Sequence, residues 1–456
     1  MYKAVASRGV QCDFVEKEQR LKVKLMAKSK NIVAAVDVGT TKIVVVAGQW
    51  TEEGKVEILG IGTSASAGVR RGVVLNIEEV SRAIDVALRQ AEEHIGDAID
   101  EVYVNIVGQQ LKTFSLKAEK YIDKDQLVTE EDVEFLIQKV KKAELPEGYK
   151  IYHAEPQLYQ VDQEGECPDP VGMKAEHLEV EFKLLVAPES YETNLKLGLE
   201  QTGIKVKQAI IDPLASSEIL LTEEEKETGV ILLDIGGGTT KLAIFHEGVL
   251  RYSSLIPFGG NVLTHDIKEG CSIVLRQAES LKTQFGQAMG DFAPEDKVVT
   301  IPSPSGWEPK EISFRNLAYV IQARMEEIIE SINFHIEKSG FGDRIGAGIV
   351  LTGGTALLLN LNQLLKYQTG MDVRIGVPRL KTDKPWKGLE DPRFATVLGL
   401  LQIGLKEQAF DGRKEPVKKK VAKPKSNSFG FLKSMKEGVA RQMDMFFNDE
   451  QGIEMK

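Results

Sequence analysis

The chain holds three cysteines in 456 residues, Cys12, Cys167 and Cys271, and no CxxC pair. That scarcity excludes a disulfide framework, offers no zinc-ligand spacing, and fits a reducing, cytoplasmic setting. Long apolar runs are also missing. None reaches the ~20 residues that span a bilayer, and the first 30 residues lack the apolar core of a secretion signal. Two familiar phosphate-binding strings, GxxxxGK[ST] and the dinucleotide fingerprint GxGxxG, do not occur. With 42% hydrophobic and 28% charged residues the chain is not wholly disordered. Its length suggests two to four domains. The net charge of −10 is unevenly spread. Between Asp411 and Arg441 ten basic residues meet three acidic ones, a net of +7 that leaves −17 on the rest. An acidic body with a basic tail points to an anionic partner for the tail.

Residues 1–27 read as an N-terminal extension; either Met26 is the biological start or 1–25 is disordered. The apolar run Asn31–Val36 is a buried strand that turns at Asp37-Val38-Gly39-Thr40-Thr41-Lys42 and resumes over Ile43–Gln49, a hairpin. A third strand is expected near Val56–Gly62, an amphipathic helix over Ile77–Ile95 and a strand at Val102–Val107. From 113 to 194 the texture changes to a small α+β insert. A polar stretch comes first, then a helix opened by Thr129 and Asp132 in a capping-box pattern, then strands at Tyr149–Leu158 and His177–Val186. Glu223–Glu227 reads as an acidic loop. Val230–Asp234 then repeats the strand, glycine turn and strand of the N-terminal region, which suggests two related halves. Helices are expected at 265–290 and 315–339, a strand at Gly348–Leu351 and a helix at Leu357–Tyr367. The divisions are 28–112 and 195–222 for the first half, 223–407 for the second with a helical part near 263–346, a flexible Lys/Pro-rich linker at 408–427, a helix at 428–447 and a tail at 448–456.

Two Asp-Gly turns carry most of the chemistry. Glycine admits positive φ and leaves backbone N–H groups free to line an anion-binding concavity. Gly39, Thr40, Thr41 and Lys42 offer this in the first turn; Gly236, Gly237, Gly238, Thr239 and Thr240 do so in the second. Either turn alone is equally consistent with a plain hairpin. The repetition, with Gly353-Gly354 after a third strand, argues for a phosphate site. Asp37 and Asp234, one from each half, are the candidates to hold Mg²⁺ together with phosphate oxygens.

DVGTTK at 37–42, DIGGGTT at 234–240 and TGGT at 352–355 resemble the phosphate-1, phosphate-2 and adenosine loops of the actin, Hsp70 and sugar-kinase superfamily. Within it the chain is most similar to the FtsA family of bacterial actin-like division proteins, on GVRRGVV at 68–74, IIDPLASSEILLTEEE at 210–225, IPFGGNVLTHDIKEG at 256–270 and GIVLTGGTALLLNL at 348–361. The resemblance covers roughly 30–405. It implies an actin-like α/β fold of two related halves, ATP with Mg²⁺ in the cleft between them, and Gly353, Gly354 and Thr355 near the adenosine. It also implies self-assembly into filaments through the 113–194 insert (SHS2-like, 1C). The helical part of the second half would contact the C-terminal peptide of FtsZ, and other divisome proteins would be partners at the septum. Glu279 and Lys282, on one helix face, match a nucleoside-contacting position and equally suit an exposed ion pair. One departure stands out: Lys241 follows GGGTT where the family usually carries an acid. An ammonium there pairs with phosphate, repels the cation or points into solvent, and slow or absent hydrolysis with nucleotide binding retained is expected. The Asp212–Glu218 connection offers no evident residue to position an attacking water, which points the same way.

In the tail, with Leu432 at 0° and about 100° per residue, Met435, Val439, Met443 and Phe446 fall on one face. Phe429 and Phe447 edge that stripe, Phe431 adjoins it, and Lys433, Glu437, Arg441 and Asp444 lie opposite. This is the pattern of an interfacial helix on anionic lipid, and it is similar to the family's membrane-targeting helix at the inner membrane. A stripe packed on the protein body or in a partner groove is the alternative. Nucleic acid is not expected, since no aromatics interleave the basic residues. A sugar kinase of the same superfamily lacks an identifiable catalytic base here, and an Hsp70-like chaperone lacks a following β-rich domain.

Overall fold

The computed structural model describes residues 32–411 except 124–125, 163–164, 303–307 and 383–385. The expected N-terminal extension, nearly all of the basic linker and the helix at 428–447 lie outside the described residues.

The first half begins with β1 (Val33–Val38), β2 (Lys42–Trp50) and β3 (Val56–Ala65). A small hairpin, β4 (Val69–Arg70) and β5 (Val73–Val74), leads to α1 (Ile77–Ile95) and β6 (Glu101–Ile106). An antiparallel unit follows: β7 (Lys112–Tyr121), α2 (Glu130–Lys141), β8 (Tyr149–Val161), β9 (Gly165–Cys167) and β10 (His177–Pro188). The chain returns through α3 (Glu189–Glu200), β11 (Lys205–Ile211), α4 (Asp212–Leu220) and α5 (Glu223–Thr228). The second half opens with β12 (Val230–Ile235), β13 (Thr240–His246) and β14 (Val249–Ile256), then α6 (Gly260–Cys271) and α7 (Leu275–Phe285). It continues with β15 (Val298–Ile301), β16 (Lys310–Ser313), α8 (Phe314–Ser339), β17 (Ile349–Thr352), α9 (Leu361–Thr369), β18 (Val373–Ile375) and α10 (Ala395–Asp411).

The two large sheets share one plan. Their orders are β11-β6-β1-β2-β3 and β18-β17-β12-β13-β14. In each, an antiparallel meander is extended by two parallel strands. The repeat visible in two glycine turns is therefore a repeat of whole sheets. The central strands read as continuous apolar runs because both faces are covered. Period-two alternation sorts their side chains between different cores. Val36, Val38 and Ile43 face α1 and α3, while Ala35, Val44 and Val46 face α4 and α10. Likewise Ile231, Leu233 and Ile244 face α6, α8 and α9, whereas Leu232, Ala243 and Phe245 join the same central core as α4 and α10. Those two helices lie between the sheets, and α10, though the last of the described elements, packs on β1, β2 and β6 of the first half.

Several local expectations are met. Helix α1 has the expected bounds, with Asn76 accepting from the Glu79 N–H and Gly96 closing it at φ 74°. Thr129 and Asp132 form the reciprocal capping box of α2. Other expectations change. The acidic stretch read as a loop is α5, because Thr222 and Glu225 cap it reciprocally and Arg374 neutralises Glu225 with a two-pronged ion pair. The polar stretch after 112 is β7: Phe114 and Ala118 alternate inward, which a count of its polar outer face conceals. The helix expected across 265–290 is two, α6 and α7, broken where Ser272 takes a left-handed conformation at φ 50°. The helix expected from Leu357 starts only at Leu361, after a 3-10 turn at Gly354–Leu357. The inserted sheet has order β7-β10-β8-β9 with α2 packed on it. The boundary expected at 194 falls inside α3, which packs on α1.

Candidate functional site

A cleft of about 480 Å³ opens between the two halves. Its walls are the β1–β2 turn, the β12–β13 turn, the start of α6, one face of α7 and the turn after β17. The strand pairing explains why these turns meet. Each glycine turn lies at the same end of the same central hairpin in its own sheet, so two equivalent sheets facing each other across α4 and α10 present their turns to one another.

The approach is close. A Cβ on Gly237 would stand 2.0 Å from Thr41 Oγ1, and one on Gly238 would stand 2.8 Å from Thr40 Oγ1. Only glycine lets these turns touch. The third turn closes on the second. Gly353, at φ +89°, passes so near Asp234 that a Cβ would lie 2.2 Å from Oδ1, and Thr355 Oγ1 donates to the Gly236 carbonyl at 3.0 Å. The start of α6 is pinned to the same turn, with Gly260 N–H donating to Gly236 O (2.9 Å) and Asn261 N–H to Gly237 O (2.7 Å).

All but one of the loop residues expected to bind a nucleotide line this cleft. Thr240 is the exception. It is fully buried, its hydroxyl donates to the Phe258 carbonyl at 2.9 Å, and strand alternation turns it away from Thr239 and Lys241. Glu279 and Lys282 form the expected ion pair at 2.7 Å, with the Lys282 side chain largely buried, and both line the cleft. Lys282 Nζ donates to Gly260 O and Thr264 Oγ1, tying α7 to α6.

At the floor, Lys241 does not point into solvent. Its ammonium is paired with Asp212 and lies 2.8 Å from Asp234 Oδ2. Asp37 Oδ1 accepts from Asn105 Nδ2 at 2.9 Å, while Asn105 Oδ1 accepts the Val38 N–H at 2.8 Å. Asp37 and Asp234, expected to hold Mg²⁺ together with phosphate oxygens, thus each have one oxygen already bonded, Oδ1 of Asp37 and Oδ2 of Asp234. Burial, then the Asp212 charge, pushes the Asp37 pKa up to about 7 despite Lys241 and Lys42. Burial likewise raises Asp212 against the pull of Lys241. For Lys241 burial opposes the charged form, but Asp212, Asp234 and Asp37 outweigh it and hold its pKa above the ordinary lysine value. Burial lowers Lys42 to about 8, offset in part by Asp37, and its ammonium rests 4.0 Å from the centre of the Phe394 ring.

Asn105, Asp212 and the Gly260-Asn261 start of α6 were not among the expected site residues. Each left a trace in the sequence: a lone amide in the buried strand EVYVNI, an Asp-Pro helix start, and a Gly-Gly pair before a helix.

Two sheets of one plan, with a cleft floored by paired glycine turns, define an actin-like α/β protein. Two solved structures share the fold: the PilM–PilN type IV pilus biogenesis complex (TM-score 0.58, 15% identity, 82% of this chain and 98% of that one) and MreB5 of Spiroplasma citri bound to AMPPNP (0.52, 14%, 84% and 100%). Residues 231–399 match the model of the cell division protein FtsA, and residues 108–186 that of the SHS2 domain inserted in FtsA. Cell division protein FtsA of Pseudomonas aeruginosa is 33% identical over 84% of this chain and 91% of its own length; that of Escherichia coli K12 is 31% identical over 87% and 96%. The chain belongs to the FtsA family of cell division proteins.

Proposed function

We propose that this protein binds ATP in the cleft, self-assembles, and holds FtsZ filaments to the cytoplasmic face of the inner membrane at the septum. The observation that carries the nucleotide part is the contact of Gly237 and Gly238 with Thr41 and Thr40. It brings hydroxyls and turn backbone from both halves to one point, as a polyphosphate requires. The fold neighbour MreB5 bound to AMPPNP supports the same reading. Gly353 and Gly354 then face the adenosine, with Glu279 and Lys282 at its edge. Hydrolysis is slow or absent on this reading, because the carboxylates at the floor are held by Lys241 and Asn105 instead of standing free.

The FtsZ and filament parts rest on family membership. The membrane part rests on the basic segment and the apolar stripe of 428–447, which lie outside the described residues. Among the described residues no helix is long and apolar enough to cross a membrane. The test is co-sedimentation of FtsZ with anionic vesicles and the full chain or a chain lacking 428–456, with and without ATP. FtsZ is expected on the vesicles only with the full chain and more so with ATP; equal recovery with the truncated chain refutes the membrane role.

A further inference from the structure

Three carboxylates converge on the cleft floor: Asp37 at the end of β1, Asp212 at the start of α4 and Asp234 near the end of β12. The ammonium of Lys241 sits between Asp212 and Asp234. We propose, on the basis of the nucleotide reading above, that Lys241 is a resident cation that takes the place of a divalent metal, so that the cleft binds a nucleoside triphosphate without Mg²⁺.

The geometry holds the cation in place. Lys241 lies opposite Asp234 in the β12–β13 register, on a strand paired on both sides, so the backbone fixes the face from which its stem leaves, and the Asp212 and Asp234 ion pairs hold its ammonium. Its side chain is 13% exposed and that of Asp212 is 2% exposed. Asp212 comes from the first half and Lys241 from the second, so the pair spans the cleft floor. A divalent ion needs free oxygen donors at ~2.1 Å; Asp234 Oδ2 and Asp212 Oδ2 already have an ammonium at ion-pair distance, while Asp212 Oδ1 is buried without a hydrogen-bond partner beside that same ammonium. An added metal would meet that ammonium at close range in a site shielded from water, where like charges repel strongly. The three carboxylates, though near one another, do not form a group that could hold a metal ion, and neither do any other three acidic, histidine or cysteine side chains among the described residues.

The charge balance points the same way. Asp37, Asp212 and Asp234 set against Lys241 and Lys42 leave a formal floor charge of −1, against −2 without Lys241. Lys241 thus lowers the repulsion between these carboxylates and a polyphosphate, part of the electrostatic service that a metal on the phosphate oxygens would otherwise supply.

The test is calorimetric titration of ATP into the full chain in Mg²⁺ and in EDTA, for the wild type and for Lys241→Asp and Lys241→Met. The wild-type Kd is expected to agree within about threefold between the two conditions. In Lys241→Asp, affinity in EDTA should fall on the order of 100-fold, with Mg²⁺ restoring much of it. Wild-type binding that requires Mg²⁺ overturns the resident cation and leaves the nucleotide reading intact. Absence of ATP binding in both conditions overturns both. The wild-type comparison does not depend on the variants folding, and a Lys241→Met chain whose EDTA and Mg²⁺ affinities stay equal also refutes the proposal.

Discussion

Gly353→Ala probes how tightly the third turn is set against the cleft floor. Two costs act at once. The backbone at φ 89°, ψ 172° lies in a region that is essentially glycine-only, which costs ~1–3 kcal/mol for any other residue. The added Cβ would also lie 2.2 Å from Asp234 Oδ1 and 2.6 Å from the Ile235 carbonyl. The carboxylate is pinned by Lys241 and the carbonyl belongs to the central strand β12, so neither yields easily. Overpacking of this kind costs ~1–3 kcal/mol. The sum, ~2–6 kcal/mol, is a large part of an ordinary stability of ~5–15 kcal/mol. Gly370→Ala is the control. Gly370 closes α9 at φ 71° with nothing within 4 Å of its Cβ, so it reports the backbone cost alone, ~1–2 kcal/mol. Urea unfolding followed by circular dichroism measures both, and ATP titration of the folded Gly353→Ala chain should show weakened binding. If Gly353→Ala is no more destabilising than Gly370→Ala, the close contact with Asp234 and Ile235 is not the constraint.

Gly399→Ala in α10 should destabilise although alanine is the better helix former by ~1 kcal/mol, because its Cβ would fall 1.8 Å from the Ala215 carbonyl of α4; a raised unfolding midpoint would refute the close packing of these helices. Glu192 joins α3 to the insert through Lys150 (2.7 Å) and also pairs with Lys196 (2.6 Å). Burial pushes its pKa up, but the two lysines outweigh it and hold it below the ordinary glutamate value. A depressed carboxylate stabilises the fold above its unfolded pKa of about 4.3 and loses that contribution as pH falls. Thermal melts from about pH 6 to pH 3 should therefore fall less steeply for Glu192→Gln than for wild type; parallel curves would refute it.

The sequence by itself determined the local pieces. The apolar hairpins around the two Asp-Gly turns, the bounds of α1 and the Thr129–Asp132 box follow from interactions within a few residues, so they are legible without a fold. Local reading failed where a distant partner decides. Ser272 ends α6 where a continuous period suggested one helix, and Lys310 caps the Cys271 and Ser272 carbonyls there; α5 adds to its local Thr222–Glu225 box an ion pair with Arg374, about 150 residues away. The floor of the cleft is the clearest case. Asp37 and Asn105 meet within the first sheet and Asp234 and Lys241 within the second, but the two pairs and Asp212 come to one floor only because the sheets are stacked across α4 and α10. The sequence showed that a lysine follows GGGTT and left its direction open. Burial decided it: an ammonium shielded from water needs carboxylate partners, and from its place on β13 it finds them in Asp212 and Asp234.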